Sequence, residues 1–352
     1  MEEPGKEAGS VQPEAWTCQV CGTKFFATAD SEFCPVCILR GAASGESAST
    51  GESSSVSGLA AASPRETEGT SQVRRFENYE LMLDEDGRPI ELGRGAMGIT
   101  YKALDVDLHR PVTLKVINER YLGDESARLR FLREVRAAAG VRHPNVASVF
   151  HLGRTGYSCF YAMEFVEGET LEHLIKRSGR LEVKLALEIT TQVATGLAAV
   201  HKQKLVHRDI KPSNIMVTLE EGGALTAKII DLGLAKSLDE PGAQPAISTP
   251  GAFAGTPESA SPEQFAGVGA DIRSDLYSLG ITLCEMVTGK TPFRGTPGEV
   301  MYQHQHSPLP LEELEGVPQP FVVLLEALLE KDPGRRFQNP GELLKAIPTI
   351  TS

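Results

Sequence analysis

Two short polar segments constrain this chain of 352 residues more than any other part of its sequence. The first covers residues 207–214 and reads HRDIKPSN, and the second, an Asp-Leu-Gly run, begins at Asp231, seventeen residues after Asn214. The carboxylate of Asp209 can accept the proton of an attacking hydroxyl. The side-chain oxygens of Asn214 and Asp231 are of the kind that binds Mg²⁺. The spacing therefore predicts a site that combines one proton-accepting carboxylate with two cation ligands.

A glycine-rich segment lies upstream, and the residues that follow it decide its interpretation. The pattern G-x-G-x-x-G over residues 93–98 by itself also fits a dinucleotide-binding turn. A dinucleotide-binding fold would place a helix next, whereas residues 99–104 and 111–117 both have the composition of strands. The glycines are therefore expected in a hairpin, where the missing Cβ lets backbone amides approach phosphate oxygens. The residues expected to cover the phosphates are Leu92, Gly93, Gly95 and Gly98.

The second of these strands carries a lysine, Lys115, between Leu114 and Val116. Burying a lysine among apolar neighbours is costly unless it is paired, although in isolation an outward-facing lysine is an equally good interpretation. Residues 125–140 have helical spacing, with Leu129 on the apolar face, and Glu134 lies on the same helix. The context therefore favours a buried Lys115 with Glu134 close to it.

In their order along the chain, these segments resemble the catalytic domain of a bacterial serine/threonine protein kinase of the eukaryotic-like type, over about residues 76–350. The resemblance implies an α+β, two-lobed fold with a small β-rich N-lobe, a larger helical C-lobe and ATP bound between them. It also implies an enzyme that transfers the γ-phosphoryl group of ATP to serine or threonine hydroxyls of proteins, itself included, in bacterial signal transduction. The implied cofactor is Mg²⁺ or Mn²⁺.

The resemblance assigns a role to each polar residue of the site. Lys115 would contact the α- and β-phosphates and Glu134 would hold it in place, while Asp209 would orient the acceptor hydroxyl. Lys211 would steady the transferred phosphoryl group. The implied nucleotide and metal contacts are Leu92, Gly93, Gly95, Gly98, Lys115, Asn214 and Asp231, together with the backbone groups of Glu164 and Val166 at the hinge beside a gatekeeper, Met163.

Further implied contacts lie in the C-lobe. Asp275 would brace the backbone of the catalytic loop, residues 207–214, and Arg336 would pair with Glu263. Thr256 would contact the catalytic loop, and together with Lys211 it favours serine or threonine acceptors over tyrosine.

The chain departs from the family pattern at Leu232, which stands where the usual run has phenylalanine. This change removes no catalytic group. The alternative from another class is a signalling scaffold that binds nucleotide without turnover, and the intact polar set argues against it.

Four cysteines near the start of the chain follow the pattern C-x₂-C-x₁₂-C-x₂-C. This is close to the spacing of four-thiolate zinc sites, so Cys18, Cys21, Cys34 and Cys37 are expected to hold one structural Zn²⁺. Disulfides and free thiols are the alternatives, and disulfides are disfavoured in a cytosolic chain. Such a module would bind a partner protein or its own kinase domain. The other two cysteines, Cys159 and Cys284, are expected in the core.

The sequence thus divides into a disordered tail (1–15), a zinc-ribbon-like module (16–40), a flexible Ser/Gly/Ala-rich linker (41–73) and the kinase domain (76–350). The formal net charge of −12 gives no reason to expect nucleic-acid binding. No membrane span or basic apolar leader is expected from the sequence, which favours a cytoplasmic location. The physiological substrate and the activating signal stay open.

Overall fold

The computed structural model describes residues 15–17, 24–26, 75–95, 98–117, 125–155, 158–219, 223–232 and 256–350. The chain divides into two compact units, Met1–Gly69 and Thr70–Ser352, and each is described by itself. Residues 1–14 of the predicted tail, the four cysteines of the predicted zinc module and the predicted linker lie outside the described residues, whereas Ala15, which belongs to the predicted tail, begins a strand.

In the first unit, the described residues form two short strands, β1 (Ala15–Thr17) and β2 (Lys24–Phe26). They pair antiparallel, with Trp16 opposite Phe25 and Thr17 opposite Lys24. The six residues between them in the sequence include Cys18 and Cys21.

The second unit begins with an antiparallel sheet. Its strands are β3 (Arg75–Phe76), β4 (Tyr79–Leu81), β5 (Glu91–Gly95), β6 (Gly98–Asp105), β7 (Arg110–Ile117), β8 (Val149–Thr155) and β9 (Ser158–Glu164). The spatial order is β3-β4-β6-β7-β9-β8, and β5 pairs with β6. The strands predicted over 99–104 and 111–117 are confirmed as β6 and β7.

Side chains of this sheet alternate between two apolar clusters, as the two-residue period of a strand requires. On β9, Phe160 and Ala162 face an outer cluster that is closed by Phe76, Tyr79 and Leu81 of the first two strands. Their neighbours on β9 face the opposite way, into the main core: Cys159, Tyr161 and Met163. Each residue of β9 from Cys159 to Met163 is thereby assigned to one side of the sheet.

The helix predicted over 125–140 is confirmed as α1 (Glu125–Ala139). Its buried face, however, consists of Phe131, Val135 and Ala138. The expectation that Leu129 belongs to this face is wrong, since Leu129 is 51% exposed. A helix turns by about 100° per residue, so Leu129 lies well away from the direction of Phe131 and Val135.

The C-lobe is mainly helical. Its helices are α2 (Leu171–Ser178), α3 (Val183–Lys202), α4 (Pro262–Ala266), α5 (Ile272–Thr288), α6 (Pro297–His306), α7 (Gln319–Leu328) and α8 (Pro340–Ala346). A small antiparallel sheet of β10 (Glu169–Thr170), β11 (Ile215–Leu219) and β12 (Leu225–Ile229) carries the loops of the two polar segments. Cys159 and Cys284 are buried, which confirms that they are core residues.

Among the described helices, α3 is long and apolar enough to cross a membrane by length and composition alone. Its buried side chains include Ile189, Val193, Leu197 and Val200, which belong to the main core. The helix packs against β12, α5 and α8. The core of the C-lobe therefore accounts for its apolar composition.

A buried ion pair joins the start of α4 to the loop before α8. The guanidinium of Arg336 donates to both oxygens of Glu263, each at 2.8 Å, and Ser274 Oγ donates to the same carboxylate at 2.6 Å. The remaining Arg336 donors reach backbone carbonyls, which include those of Glu330 and Lys331. Burial alone would raise the pKa of the Glu263 carboxyl, but the hydrogen bonds and charge of Arg336 outweigh it and hold the pKa below its usual value. The predicted pair of Glu263 and Arg336 is confirmed.

Replacing Glu263 by Ala should lower the free energy of unfolding by about 3–5 kcal/mol, because it leaves a buried guanidinium without its counter-ion. Arg88→Ala is the matched control, since its pair with Asp86 is exposed and should leave stability unchanged. Denaturant unfolding followed by circular dichroism measures both. The pKa of Glu263 is lowered in the folded state. The stabilisation from the ion pair should therefore be complete above the pKa of Glu263 in the unfolded state. It should be lost as the pH falls through the pKa of Glu263 in the folded state. Equal effects of the two substitutions would contradict this account.

Candidate active site

The candidate site lies where β7 and β9 of the N-lobe face the two polar loops of the C-lobe. Lys115 of β7 extends to Asp231, with 2.5 Å between the lysine Nζ and Oδ2 of the carboxylate. The hydroxyl of Tyr161 on β9 donates to the other oxygen, Oδ1, at 3.1 Å. Burial would raise the pKa of Asp231, but the charge and hydrogen bond of Lys115 outweigh it, so the pKa lies below its usual value. Asp231 is therefore held as a carboxylate.

The ion pair that the structure describes for Lys115 is the one with Asp231. Glu134 lies on α1, partly buried, at the position expected from the sequence. The contact between Lys115 and Glu134 that the resemblance implies stays a prediction.

The catalytic loop brings its polar side chains together around Asp209. Asn214 Nδ2 donates to the backbone oxygen of Asp209 at 2.8 Å and to its Oδ2 at 3.0 Å. Lys211 Nζ lies 3.1 Å from Asp209 Oδ2 and donates to Thr256 Oγ1 at 2.6 Å. The Thr256 hydroxyl in turn donates to Asp209 Oδ1 at 3.5 Å. The contacts predicted for Thr256 are confirmed, and both oxygens of Asp209 are oriented.

The backbone of this loop is held in place by Asp275 of α5. The carboxylate of Asp275 is fully buried and accepts hydrogen bonds from the amides of His207 and Arg208, both at 2.8 Å. The ring Nε2 of His201 lies 2.9 Å from the same carboxylate. The predicted brace is confirmed, and His201 is a partner that the sequence did not indicate.

Two residues of the site have a backbone conformation that L-residues rarely adopt. The φ angles are 63° for Arg208 and 56° for Asp231. Such conformations cost of order 1–3 kcal/mol each and persist only when the surroundings enforce them. The bonds to Asp275 hold the first residue, and the bonds from Lys115 and Tyr161 hold the second.

The glycine-rich segment forms the predicted hairpin of β5 and β6, with Gly95 opposite Gly98. Residues 96 and 97 at its tip lie outside the described residues. Gly98 has a φ of 158°, and a Cβ placed there would lie 2.0 Å from the backbone oxygen of Val116. A side chain at this position would therefore push the hairpin away from β7. Leu92 is exposed beside it on β5.

The hinge follows β9. Met163 is buried beside the main core, and Glu164 ends the strand. The carboxylate of Glu164 accepts from Lys228 Nζ at 2.5 Å and from the Ser148 amide at 3.2 Å. This ion pair ties the hinge to β12, the strand that leads to Asp231. The backbone roles of Glu164 and Val166 towards adenine stay predictions.

The donor set fits a triphosphate carried by a magnesium ion. Asn214 and Asp231 offer oxygen atoms, which Mg²⁺ prefers, and Lys115 offers a cation to phosphate. The hairpin around Gly98 supplies backbone without a side chain at the position where one would clash. Among the described residues, no group of three or more His, Cys, Asp or Glu could hold a metal ion by itself. A cation here would therefore need ligands beyond these side chains, such as phosphate oxygens.

Besides His201, sequence reasoning missed the contacts of Tyr161 and Lys228. The signal for Tyr161 was present, because a buried tyrosine hydroxyl usually has a hydrogen-bond partner. The alternation of β9 also places Tyr161 on the face of Lys115. Nothing local indicated that Lys228 pairs with Glu164.

The arrangement of a β-rich lobe, a helical lobe and a polar cluster between them is the protein kinase fold. The family model described as protein kinase domain matches residues 89–346, which is most of the chain. The chain therefore belongs to the protein kinase domain family.

Its relatives include bacterial serine/threonine kinases. A probable serine/threonine-protein kinase of Clostridium acetobutylicum is 36% identical over 263 residues, which cover 74% of this chain and 39% of that protein. Serine/threonine-protein kinase PknL of Mycobacterium tuberculosis is 36% identical over 263 residues, which cover 73% of this chain and 64% of PknL. This chain thus spans less than two thirds of the length of either relative. The crystal structure of the M. tuberculosis PknI kinase domain has a TM-score of 0.60 at 25% identity and covers 78% of this chain and 96% of that chain.

Proposed function

We propose that this chain is an ATP-dependent protein kinase that phosphorylates serine and threonine residues of proteins, itself included, in bacterial signal transduction. The observation that carries the proposal is the cluster of Asp209, Lys211, Asn214 and Thr256, which faces the Lys115–Asp231 pair. Similarity to bacterial serine/threonine kinases supports the acceptor class. The cytoplasm is the location we propose.

The residues of the catalytic loop would position the acceptor hydroxyl. Asp209 would accept a hydrogen bond from it, because its carboxylate is oriented by Asn214 and Lys211. The cation of Lys211 also lies where it would favour the negative charge of a phosphoryl group in transfer. Thr256 would keep Lys211 and Asp209 at a fixed separation. These residues supply position and charge, and they form no covalent bond to the phosphoryl group.

Lys115, Asn214 and Asp231 would bind the nucleotide and its metal. Lys115 would hold the α- and β-phosphates, with Glu134 as its partner in that state. Asn214 and Asp231 would hold Mg²⁺ or Mn²⁺, which neutralises phosphate charge when bound. The nucleotide would be covered by Leu92, Gly93, Gly95 and Gly98, and its adenine would meet the backbone of Glu164 and Val166.

Purified protein incubated with labelled ATP and Mg²⁺ should become phosphorylated on serine or threonine. Asp209→Asn should lower the rate by about 10²–10⁴-fold, because the oriented proton acceptor is lost while the volume is kept. Asp231→Ala should abolish metal-dependent transfer, and Asp86→Asn, at an exposed turn, should change nothing. Transfer at the wild-type rate in Asp231→Ala would contradict the mechanism. A folded wild-type protein that binds nucleotide without transfer would instead indicate a scaffold.

For the first unit, we propose one structural Zn²⁺ bound by Cys18, Cys21, Cys34 and Cys37. The antiparallel strands β1 and β2 support this, because the connection between them contains the first pair of cysteines. A two-cysteine turn between short strands is a common way to present thiolates to zinc. A protein partner or the chain's own kinase domain is the proposed contact of this module.

The full chain should contain one equivalent of zinc by atomic absorption. Replacing both Cys34 and Cys37 by Ser should remove it, because two thiolates hold Zn²⁺ poorly. A chain that begins at Arg74 is the matched control, since it keeps Cys159 and Cys284 and should contain none. Zinc retained by that shortened chain would place the metal elsewhere.

The chain that begins at Arg74 should also fold and phosphorylate a generic peptide. A chain that begins at Pro89, where the family model begins, lacks Phe76, Tyr79 and Leu81 and exposes the outer cluster of the sheet. Its melting temperature should be lower by about ten degrees or more, since each of the three large buried side chains contributes on the order of 1.5–3 kcal/mol. Equal stability of the two chains would show that β3 and β4 are dispensable for folding. If the chain that begins at Arg74 folds but does not phosphorylate the peptide, the first unit is part of the catalytic machinery.

A further inference from the structure

Tyr161 is the one buried tyrosine of the N-lobe whose hydroxyl, among the described contacts, meets a residue of the candidate site. Its side chain is 1% exposed, and the hydroxyl donates to Asp231 Oδ1 at 3.1 Å. The other oxygen of the same carboxylate, Oδ2, accepts a hydrogen bond from Lys115 Nζ and forms an ion pair with it. The two oxygens of Asp231 therefore have different partners, a neutral donor on one and a cation on the other.

The sheet fixes this arrangement. Tyr161 and Lys115 are directly paired residues of β9 and β7, so their side chains leave the same face of the sheet side by side. The neighbours of Tyr161 on β9, Phe160 and Ala162, are buried in the outer cluster on the opposite face. A shift of β9 by one residue would move Tyr161 out of the main core, so the register of the strand is fixed. The ring of Tyr161 therefore cannot follow the Asp231 carboxylate if that group moves.

The hydroxyl and the carboxylate also depend on each other energetically. A buried phenol without a partner is destabilising, and a bond to an ionised oxygen is stronger than one between neutral groups. Lys115 has a long side chain that is 16% exposed, whereas Tyr161 is 1% exposed and is held by the main core. The tyrosine is thus the permanent partner of the two.

We propose that Tyr161 is a positioning residue for the metal: its hydroxyl, bonded to Oδ1, fixes the orientation of the Asp231 carboxylate, so that Oδ2 can exchange Lys115 for a divalent cation. This inference rests on the proposed metal role of Asp231. Mg²⁺ demands near-ideal octahedral geometry, whereas Ca²⁺ accepts flexible geometry and a larger coordination number. A fixed orientation of the Asp231 carboxylate should therefore matter more for Mg²⁺ than for Ca²⁺.

The test is ADP binding by the full chain, measured by titration calorimetry in Mg²⁺, in Ca²⁺ and in EDTA. Tyr161→Phe should weaken ADP binding in Mg²⁺ by about tenfold, as expected for loss of a hydrogen bond to a charged group. Binding in Ca²⁺ should weaken less, because Ca²⁺ tolerates a less precisely oriented carboxylate. In EDTA the variant and the wild type should bind ADP equally, since Tyr161 acts through the metal ligand.

Tyr101→Phe is the matched control, because it removes the same atom from a residue packed against the outer cluster, and all three affinities should stay at wild-type values. In an Asp231→Ala background, Tyr161→Phe should have no further effect. An unchanged affinity in Mg²⁺, or an equal loss in EDTA, would overturn the inference and leave the proposed function standing. If ADP binding by the wild type does not depend on Mg²⁺, the metal role of Asp231 and this inference both fail.

Discussion

The buried carboxylate of Asp275 is the constraint on which the rest of the candidate site depends. A charge without solvent is tolerated only when hydrogen bonds compensate it, and here the compensation comes from the backbone of the catalytic loop. The loop cannot move away without leaving a buried charge unpaired. This explains how Arg208 is kept in its unfavourable conformation. Asp209 follows Arg208 directly and Asn214 lies five residues further on, so the bonds to α5 help to fix the position of both.

The N-lobe contributes through the two faces of its sheet. The outer face is closed by aromatic residues of β3 and β4, which leaves the inner face to carry the polar side chains. A sheet covered on both sides holds its strands in one register. That register places Lys115 and Tyr161 next to each other, opposite the loop of Asp231. The positions of Lys115 and Tyr161 thus depend on the outer apolar cluster, which lies on the face of the sheet opposite the site.

The sequence predicted β6, β7, α1 and the residues of the catalytic loop, because these depend on local spacing. It also predicted the partners of Asp275, Glu263 and Thr256 through the family resemblance. It did not predict the partners of Lys115 or Glu164 in this structure, since each lies in a distant segment and pairing depends on how the lobes meet. The prediction for Leu129 was wrong for a different reason. Helical spacing alone fits more than one face of the helix, and packing decides which face is buried.

The pair of Lys115 and Asp231 also determines what kind of ligand the site can accept. Each partner is largely buried, and separating them leaves two charges that attract strongly in a medium of low polarity. An anion alone would pair with Lys115 but leave the Asp231 carboxylate without an opposite charge. A cation alone would pair with Asp231 but leave Lys115 without one. Only a ligand that carries both charges can replace both interactions at once. A triphosphate bound to Mg²⁺ has this composition, so the ion pair itself favours the complex over either component.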